Sequence, residues 1–480
     1  MTPATGLEPR HRAVLEELAA LADGLAPDEL PADVVSEAGR RVLDGIGCML
    51  GGASTEPAQA AYESVAAEAG EATLVGGQRR SGVAGAALAN ATALRSLDFM
   101  DGHPGPYSCH PSLLIPAVLA AAESRSASGL AVARAIVLGY ELDVRLQLGS
   151  GDPDITARGW SGSTNLALPV SLAVGTLFGL RGSRLVDALA IATVHAPTLD
   201  ASGRGQMAPS KAVVDGMVAM SAVVAAQLAD AGLGGPHGAY EESDGFVDAV
   251  AGRFDPDILL APLDRFRIVD CYTKVYNAVK CAQSAAAAAL SLRDELGDLE
   301  DVEGLTLYLA ERDWRNQLND ATDRRRPSNR DTANHSVVYC VAAALVDGDL
   351  QAAQFERHRL ADSRILRLID ATTLASDPAL TQHWPGANPA TVEVRLTSGD
   401  ILRRTVFHPP GHPRNPITTD QLAAKVRVLA GTTSDQTDAL VDTTLRLGAL
   451  ASVDPIMTLV AGLAPTHIDD TKGSGRCESS

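Results

Sequence analysis

Hydrophobic residues recur at spacings of three and four from residue 11 to about residue 263. The stretches "VVSEAGRRVLDGIGCML" and "GLAVARAIVLGYELDVRL" are typical of this part of the chain. Such spacing predicts amphipathic helices with one buried face. Another stretch, "NLALPVSLAVGTLFGL", is apolar on almost every side, which indicates a helix in the middle of a helical domain. We therefore expect residues 1–267 to form a large helical domain.

The pattern changes after residue 268. The stretches "VEGLTLYLAER" and "ATVEVRLTSGDILRRTVFHPPG" alternate with a period of two, and the second contains the turn sequence "TSGD", which predicts a hairpin. Helical patterns accompany them: "NAVKCAQSAAAAALSL" precedes the first stretch, and "DTANHSVVYCVAAALVDG" lies between the two. Residues 268–412 are therefore predicted to form a smaller α/β lid domain.

The last helical patterns, "TTDQLAAKVRVLAG" and "TDALVDTTLRLGAL", are expected to return the chain to the helical domain over residues 413–465. The polar residues 466–480 are typical of a disordered tail. The fold class predicted from these patterns is mostly α, with a large all-helical domain and a smaller α/β lid domain.

Composition narrows the possible partners. The 480 residues are 46% hydrophobic and only 4% aromatic, and they carry a net charge of −19, which argues against nucleic acid and anionic membranes as partners. The N-terminus has no apolar signal core, and the apolar stretch "AVVDGMVAMSAVVAAQLA" carries Asp215 in its middle, so we expect no membrane span. Six scattered cysteines without a CxxC pair favour a reducing, cytoplasmic compartment and no metal cluster.

One polar loop, "LDFMDGHPGPYSCHPS", separates two apolar helical patterns. Asp98 and Asp101 follow the C-terminal end of a predicted helix, where the helix dipole disfavours a carboxylate, and His110 precedes Pro111 at the start of the next helix. A capped helix–loop–helix explains this stretch about as well as a functional loop does.

Two further segments carry lysines with possible functional roles. Lys211 begins a long apolar helix after a glycine-rich loop, which would suit an anion bound at the helix start, although a solvated surface lysine fits equally well. Lys274 and Lys280 flank a Tyr–Asn pair where the domain character changes, and clefts between domains are common sites for small molecules.

The stretch "RPSNRDTANHSVVYCVAAAL" places Asp331, His335 and Tyr339 at i, i+4 and i+8, on one face of a predicted helix that starts at Arg330. A buried His–Tyr pair can be purely structural, but polar groups at the mouth of so apolar a helix need partners, and a ligand is one candidate. No Rossmann, Walker, HExxH or GxSxG motif occurs, so we expect no cofactor and no metal. The remaining residue types suit proton transfer next to a carboxylate.

Several of these stretches occur in an order that resembles the MmgE/PrpD family, over about residues 12–430: "LDFMD…CHPS", "GYELDVRL", "RGW", "SKAVVDG", "KVYNAVKCAQSA", "NRDTANHSVVYCVAAALVDG" and "HPPGHPRNP". That family includes 2-methylcitrate dehydratase that needs no iron–sulfur cluster, cis-aconitate decarboxylase and iminodisuccinate epimerase. The resemblance implies a helical domain with an α/β lid, a homodimer, and an active site for a small polycarboxylate in the cleft between the domains.

The resemblance also assigns site residues. It implies catalytic roles for six residues that match family motif positions: Asp98, His110, Lys211, Lys274, His335 and Tyr339. Five further residues are expected to bind the substrate: His103, Ser161, Lys280, Gln283 and Arg330.

The chain departs from the family pattern at three places. The pocket histidine that follows the glycine–aromatic pair in relatives falls on Gly162, which would leave a larger pocket for a bulkier substrate. Val279, Lys280 and Cys281 stand where relatives place polar groups, often including a histidine, and His103 stands near a position that is usually threonine or serine. These departures concern the reaction and not the fold.

The resulting prediction is a cofactor-independent lyase acting on a di- or tricarboxylate, most simply by eliminating water as in 2-methylcitrate dehydratase. In that version a base removes the proton next to a carboxylate, Lys211 and Lys274 stabilise the charge, and His110 or His335 protonates the leaving hydroxyl. Decarboxylation or epimerisation of a specialised substrate is the alternative. A catalytically silent binding subunit is a third possibility, and a cleft filled by Trp160 or by the lid would favour it.

Overall fold

A computed structural model describes residues 14–463, apart from residues 67–68, 78, 152–153, 196 and 242. The predicted disordered tail, residues 466–480, lies outside the described residues, as do residues 464–465 of the predicted C-terminal helical part.

Helices dominate the first part of the chain, as the apolar spacing predicts. A two-stranded antiparallel ribbon, β1 (Ala72–Thr73) with β2 (Arg80–Ser81), interrupts them. The helices of this part are α1 (Val14–Asp23), α2 (Ala32–Gly52), α3 (Glu56–Val65), α4 (Val83–Arg95), α5 (Ile115–Ser124), α6 (Gly129–Gly149), α7 (Ala167–Leu177), α8 (Gly182–His195), α9 (Val214–Asp230) and α10 (Pro256–Leu259).

Short 3-10 helices occur at several of the turns between these helices. Two of them begin elements that matter for the site: Pro111–Leu114 leads into α5, and Pro209–Val213 leads into α9. The others in this part of the chain are Pro27–Glu29, Gly162–Leu166, Asp200–Gly203 and Arg267–Asp270, and a π-helical turn covers Val247–Ala251.

Helix α9 packs one face against α4, α7 and α8. With its leading turn, Pro209–Asp230, it is the one helix in the described chain that is long and apolar enough to cross a membrane by length and composition, and 56% of its most apolar window is buried inside the protein. Asp215 within it is buried and paired with Arg95 of α4. These contacts place one face of α9 in the protein core.

The second part of the chain combines helices with a four-stranded sheet. Its elements are α11 (Ala282–Arg293), β3 (Val302–Leu309), α12 (Glu311–Asn319), α13 (Ala321–Arg325), α14 (Arg330–Asn334), α15 (Val337–Asp347), α16 (Arg357–Leu360), α17 (Ser363–Asp370), β4 (Thr372–Ser376), α18 (Pro378–Thr381), β5 (Ala390–Leu396) and β6 (Ile401–Val406). Two short 3-10 helices, Leu299–Asp301 and Ala352–Phe355, complete it.

The sheet has the order β4-β3-β5-β6, with β4 parallel to β3 and the other neighbours antiparallel. Strand β3 and the β5–β6 hairpin confirm the period-two predictions, and buried pairs such as Leu307 and Val392 face the core beneath α11 and α15. Strand β4 was not predicted, because its five residues "TTLAS" alternate too weakly to stand out from a turn. The mostly α architecture with a smaller α/β part is confirmed.

The prediction of one continuous helix across "DTANHSVVYCVAAAL" is wrong. Helix α14 ends at Asn334, His335 caps it, and a new helix, α15, begins after Ser336. The Ser336 hydroxyl accepts a hydrogen bond from the Tyr339 backbone N–H at 3.2 Å, which is the bond of an N-cap. The restart changes the helix direction, so His335 and Tyr339 do not share a face.

The C-terminal helices, α19 (Thr419–Ala430), α20 (Asp435–Leu445) and α21 (Asp454–Ala461), follow the sheet, with a 3-10 turn at Leu447–Ala449. Helices α19 and α20 pack against α2, and α21 packs against α20. Lys425 of α19 is bonded to the buried Asp44 at 2.7 Å and to the Phe99 carbonyl at 2.9 Å. These helices therefore contact the first helices of the chain and support the loop that precedes His110. The exact domain boundaries at residues 267 and 412 remain predictions.

Candidate active site

A cavity of about 290 Å³ lies where the helical part meets the lid. The lining includes residues from the loop 97–112, the start of α9, the segment 274–281, helices α12 and α13, and His335 after α14. Trp160 is not part of the lining. The cavity brings together seven residues predicted from the sequence: Asp98, His110, Ser161, Lys211, Lys274, Lys280 and His335.

Asp98 is the most constrained acid in the cavity. Its backbone has φ of +52°, in the left-handed region that residues other than glycine rarely adopt. The Lys274 ammonium donates to Asp98 Oδ2 at 3.0 Å and to the Asp98 carbonyl at 2.7 Å, and Arg95 donates to Oδ1. Such strain persists where surrounding bonds fix it, often at functional sites.

The two cations decide the charge of Asp98. Burial alone would raise the pKa of this carboxyl, but Lys274 and then Arg95 hold its pKa well below the usual range. Arg95 also bonds Asp215 at 3.1 Å, so a buried chain of alternating charges runs from Lys274 to Asp215. Sequence reasoning missed Arg95 and Asp215, since an arginine at a helix end and an aspartate inside an apolar helix carry no motif.

His335 and Lys211 form a second polar pair. The His335 Nδ1–H donates to the Asp331 carbonyl at 2.9 Å, which leaves Nε2 to accept from the Lys211 ammonium at 3.1 Å. Burial, and then the charge of Lys211, hold the pKa of His335 well below its usual value, so the imidazole is neutral. Burial and then Arg95 lower the pKa of Lys211 to about 8. Lys211 is therefore a cation at neutral pH that can lose its proton with little cost.

His110 faces the cavity from the end of the loop. Its Nδ1–H donates to the Asp101 carbonyl at 2.7 Å, so Nε2 carries the free lone pair. Tyr140 holds the Asp101 carboxylate at 2.7 Å and Ser112 N–H holds it at 3.2 Å, which fixes the loop that orients His110. Burial and then Lys274 hold the pKa of His110 well below its usual value, so this imidazole is also neutral.

Two predicted site residues lie in the lid without lining the cavity. Tyr339 is buried in the lid core beside Phe355, and its hydroxyl donates to the Gln354 carbonyl at 2.7 Å. The predicted i, i+4, i+8 face does not exist, because the helix restarts at Ser336. Arg330 opens α14 away from the cavity lining.

Two others also lie outside the lining and have structural contacts. His103 is bonded through Nδ1 to Gln147 Oε1 at 2.6 Å, and burial lowers the pKa of His103 to about 4. Gln283 donates to the carbonyls of Tyr276 and Ala278, both at 2.8 Å, and so supports the segment that carries Lys274 and Lys280. His103 is therefore badly placed to replace a missing proton-handling residue.

The region of the family departures differs from the expectation. A Cβ at Gly162 would lie 2.7 Å from the Ser108 carbonyl oxygen and 3.5 Å from the Tyr107 ring. The extra space expected from glycine is therefore occupied by the neighbouring loop, and the hypothesis of a pocket enlarged at this position is wrong. Ser161 caps the 3-10 helix that follows it, through the Ser163 N–H at 3.2 Å.

Lys280, the lysine gained at the second departure, reaches the cavity and donates to the Gly105 carbonyl at 3.0 Å. Burial lowers its pKa, and Asp313 opposes that shift. Arg312 of α12 lies nearby, pairs with Asp154 at 2.6 Å and stacks over Trp384 at 5.3 Å. This contact joins the lid to the helical part beside the cavity, and sequence reasoning missed it because Arg312 and Asp154 are far apart in the chain.

No group of three or more histidines, cysteines or acids placed to hold a metal occurs in the described ranges. Histidine, lysine, arginine and aspartate make up the reactive lining instead. The expectation that the reaction needs no cofactor remains a prediction.

The fold and this cavity define a class of protein: a two-part, mostly helical protein whose cavity is lined by imidazole, ammonium and guanidinium groups together with carboxylates. The MmgE/PrpD N-terminal domain matches residues 16–259, and the MmgE/PrpD C-terminal domain matches residues 276–447. The chain belongs to the MmgE/PrpD family.

Curated relatives include lyases with two different reactions. The chain is 27% identical to the cis-aconitate decarboxylase-like protein oryM of Aspergillus oryzae, over 94% of this chain and 97% of the relative. It is 25% identical to cis-aconitate decarboxylase of Aspergillus terreus, over 93% and 96%. It is 28% identical to 2-methylcitrate dehydratase of Cupriavidus necator, over 67% and 69%.

Proposed function

We propose that this protein is a lyase that acts on a small di- or tricarboxylate in the cavity between helical part and lid, and that it eliminates water next to a carboxylate. The observation that carries the proposal is the combination of a free imidazole nitrogen on His110 with an ammonium of lowered pKa on Lys211 in one cavity. Elimination of water needs both a base and an acid.

His110 is the proposed base. Its Nδ1–H is fixed on the Asp101 carbonyl, so Nε2 can take the proton from the carbon next to a substrate carboxylate. The electrons of that C–H bond move into the carboxylate, which becomes an enediolate. Lys274 and Arg95 lie at this end of the cavity and would stabilise the added charge.

Lys211 is the proposed acid. The enediolate electrons form the new C=C bond as the C–O bond breaks, and the Lys211 ammonium gives a proton to the leaving hydroxyl, which departs as water. His335 holds the Lys211 ammonium at 3.1 Å through Nε2 and so keeps it in one position. This assignment replaces the expectation that His110 or His335 is the acid, since both imidazoles are held neutral.

The cations of the lining explain how an acidic protein can bind an anion. The chain carries a net charge of −19, which disfavours anions at long range, so a local excess of positive charge must outweigh it. The lining supplies that charge from both parts of the protein: Arg95, Arg204, Lys211, Lys274, Lys280, Arg312 and Arg324.

Decarboxylation is the second candidate reaction. It is favoured by relatives named cis-aconitate decarboxylase that match over 93–94% of this chain. In that reaction the bond to a carboxylate breaks, carbon dioxide leaves, and the carbon receives a proton from Lys211, so no base is needed. A variant without the His110 imidazole therefore distinguishes the two candidate reactions, because it would stop elimination and spare decarboxylation.

The first experiment is a turnover screen in heavy water with 2-methylcitrate, citrate and cis-aconitate, followed by NMR. An unsaturated product from a hydroxy acid supports the dehydratase proposal, and carbon dioxide release supports decarboxylation in its place. Exchange of the α-proton without net product points to an epimerase. Binding of the acids without exchange or product would contradict a lyase and support the silent binding subunit.

We also propose that the protein is a homodimer that pairs through the exposed face of α9. Met217, Val224 and Leu228 are 50%, 39% and 39% exposed on that face. The helix carries no charged residue between Asp215 and Asp230, so two copies with the same net charge can approach there with little repulsion. The spacing 217–224–228 also lets an antiparallel copy place Met217 near Leu228.

A matched pair of variants tests this face. Val224→Glu puts a charge into the proposed interface and should shift the protein toward monomer in sedimentation velocity. Val428→Glu changes a more exposed valine, 65% exposed on α19, and should leave the assembly unchanged. A monomeric wild type, or equal effects of both variants, would overturn the proposal.

A further inference from the structure

Helix α6 is almost wholly buried, yet it carries polar residues at four alternate positions: Glu141, Asp143, Arg145 and Gln147. Glu141 bonds Arg145 at 2.7 Å and the Arg267 N–H at 2.7 Å. Gln147 bonds His103 and the Tyr107 carbonyl. Three of the four residues thus have strong partners.

Asp143 is the exception. Its carboxyl lines the cavity, its side chain is buried, and within the described chain its Oδ2 is bonded only to the Cys109 thiol, at 3.2 Å. A thiol is a weak donor, and an ionised carboxylate in a buried site needs a charge or several N–H donors. None of the ion pairs among the described residues includes Asp143, so its partners do not support a negative charge.

The charges around Asp143 point the same way. Asp101 of the loop and Asp215 of α9 are the acids that act on it, and Cys109, Cys271 and Tyr107 are the other titratable groups that face it. Burial, and then these two acids, raise the pKa of Asp143 to about 7, against the effect of the Cys109 bond. Below about pH 7, Asp143 therefore carries a proton in most molecules, in a cavity lined by cations.

We propose that Asp143 is a substrate-binding residue that acts in its protonated form, donating its O–H to a carboxylate oxygen of the ligand. The inference rests on the proposed function only in taking a carboxylate as the ligand. An ionised Asp143 would repel that group, whereas a protonated carboxyl forms a short hydrogen bond to it. Asp143 thus adds a charge-free contact to a site whose other anion-binding groups are cations.

Isothermal titration with citrate tests the inference without turnover. Measurements between pH 6 and 7.5, in two buffers of different ionisation enthalpy, give both the affinity and the number of protons taken up on binding. The wild type should take up part of a proton as the pH approaches 7.5, and its affinity should fall as the pH rises through about 7. Because the pKa of Lys211 is about 8, Lys211 can also contribute to the proton uptake. The difference in proton uptake between the wild type and a variant at Asp143 therefore isolates the contribution of Asp143.

Asp143→Asn supplies that difference, since the amide has nearly the same shape and keeps an N–H donor without a titrating proton. We expect it to bind citrate within about 3-fold of the wild type at pH 6 and to lose the additional proton uptake. Asp143→Ala removes the donor and should weaken binding about 10-fold. Circular dichroism of both variants checks that they fold.

Two results would overturn the inference. One is Asp143→Asn taking up as many protons as the wild type, and the other is Asp143→Asn losing as much affinity as Asp143→Ala. If Asp143→Asn does not fold, a wild type without proton uptake between pH 6 and 7.5 still overturns it.

The outcome is separable from that of the lyase proposal. A wild type that converts an acid but shows no uptake attributable to Asp143 overturns the inference alone. A wild type that shows the uptake but converts none of the acids overturns the lyase proposal alone. A wild type that binds no polycarboxylate overturns both.

Discussion

The two walls of the cavity are built in different ways. On the loop wall, residues 97–112, the polar groups are held by their own part of the protein: Asp101 by Tyr140, His110 by the Asp101 carbonyl. On the lid wall, residues 274–281, the lysines reach across the domain gap, Lys274 to Asp98 and Lys280 to the Gly105 carbonyl. Asn277 adds a bond to the Leu97 carbonyl.

The two walls therefore contribute different properties to the cavity. The loop wall holds the free nitrogen of His110 against the helical core, while the lid wall supplies two of the cavity's cations, Lys274 and Lys280. Because the lid's cations also fasten the loop's backbone, the lid wall is expected to affect both stability and chemistry. The loop wall's His110 is expected to affect chemistry alone.

The largest effect is expected for Lys274→Met. This change leaves Asp98 buried without one of its two cations, and breaking a buried ion pair from one side costs about 3–5 kcal/mol of unfolding free energy. Urea unfolding at pH 7 measures it, and activity should fall below detection. Lys280→Met is the matched control: its ammonium bonds a neutral carbonyl, so the loss should be clearly smaller.

The same variant has a defined pH dependence. The pKa of Asp98 is depressed in the folded protein, so the stability it contributes is present above its ordinary pKa of 3.8 and is lost as the pH falls toward the folded value. The gap between wild type and Lys274→Met should therefore narrow below about pH 4. Equal unfolding free energies at pH 7 would show that Lys274 does not support the loop wall.

The next largest effect concerns activity. His110→Asn removes the proposed base and should lower kcat for dehydration by about 10²–10⁴-fold, with unfolding free energy changed by less than about 1 kcal/mol. His103→Asn is the control, because His103 lies outside the cavity lining and should keep activity within about 3-fold. Similar losses in both variants would mean that the loop responds as a whole and that His110 has no special role.

A moderate effect is expected on the pH profile. Lys211 must be protonated to act as the acid, and its pKa is lowered to about 8, so the rate should fall as the pH rises through about 8. Lys211→Arg keeps the charge at all accessible pH values and should displace that alkaline limb, at a lower maximal rate. An unchanged alkaline limb in Lys211→Arg would assign the limb to another group.

The smallest effect is expected for Tyr339→Phe. The hydroxyl donates one hydrogen bond to the Gln354 carbonyl in the lid core, and its loss should cost about 1 kcal/mol in thermal or urea unfolding. Activity should stay within about 3-fold of the wild type, because Tyr339 lies outside the cavity lining. A loss of activity of 100-fold or more would show that Tyr339 has a role in the active site.

Local patterns in the sequence predicted much of the fold. The three- and four-residue spacing located the helices, and strict alternation located β3 and the β5–β6 hairpin, because each of these signals depends on neighbouring residues alone. Family motifs, read in order, pointed to Asp98, His110, Lys211, Lys274 and His335, which the cavity does bring together.

Tertiary structure decided the rest. Strand β4 becomes a strand by pairing with β3, more than 60 residues earlier in the chain, and the restart at Ser336 moved Tyr339 into the lid core. The surroundings of each acid were also decided there, since Asp98 meets Lys274 from 176 residues away, while in the described chain the side chain of Asp143 is bonded only to the Cys109 thiol. A sequence by itself determines periodicity and residue type, whereas the charge of a buried group depends on which distant groups the packed core brings within a few ångströms.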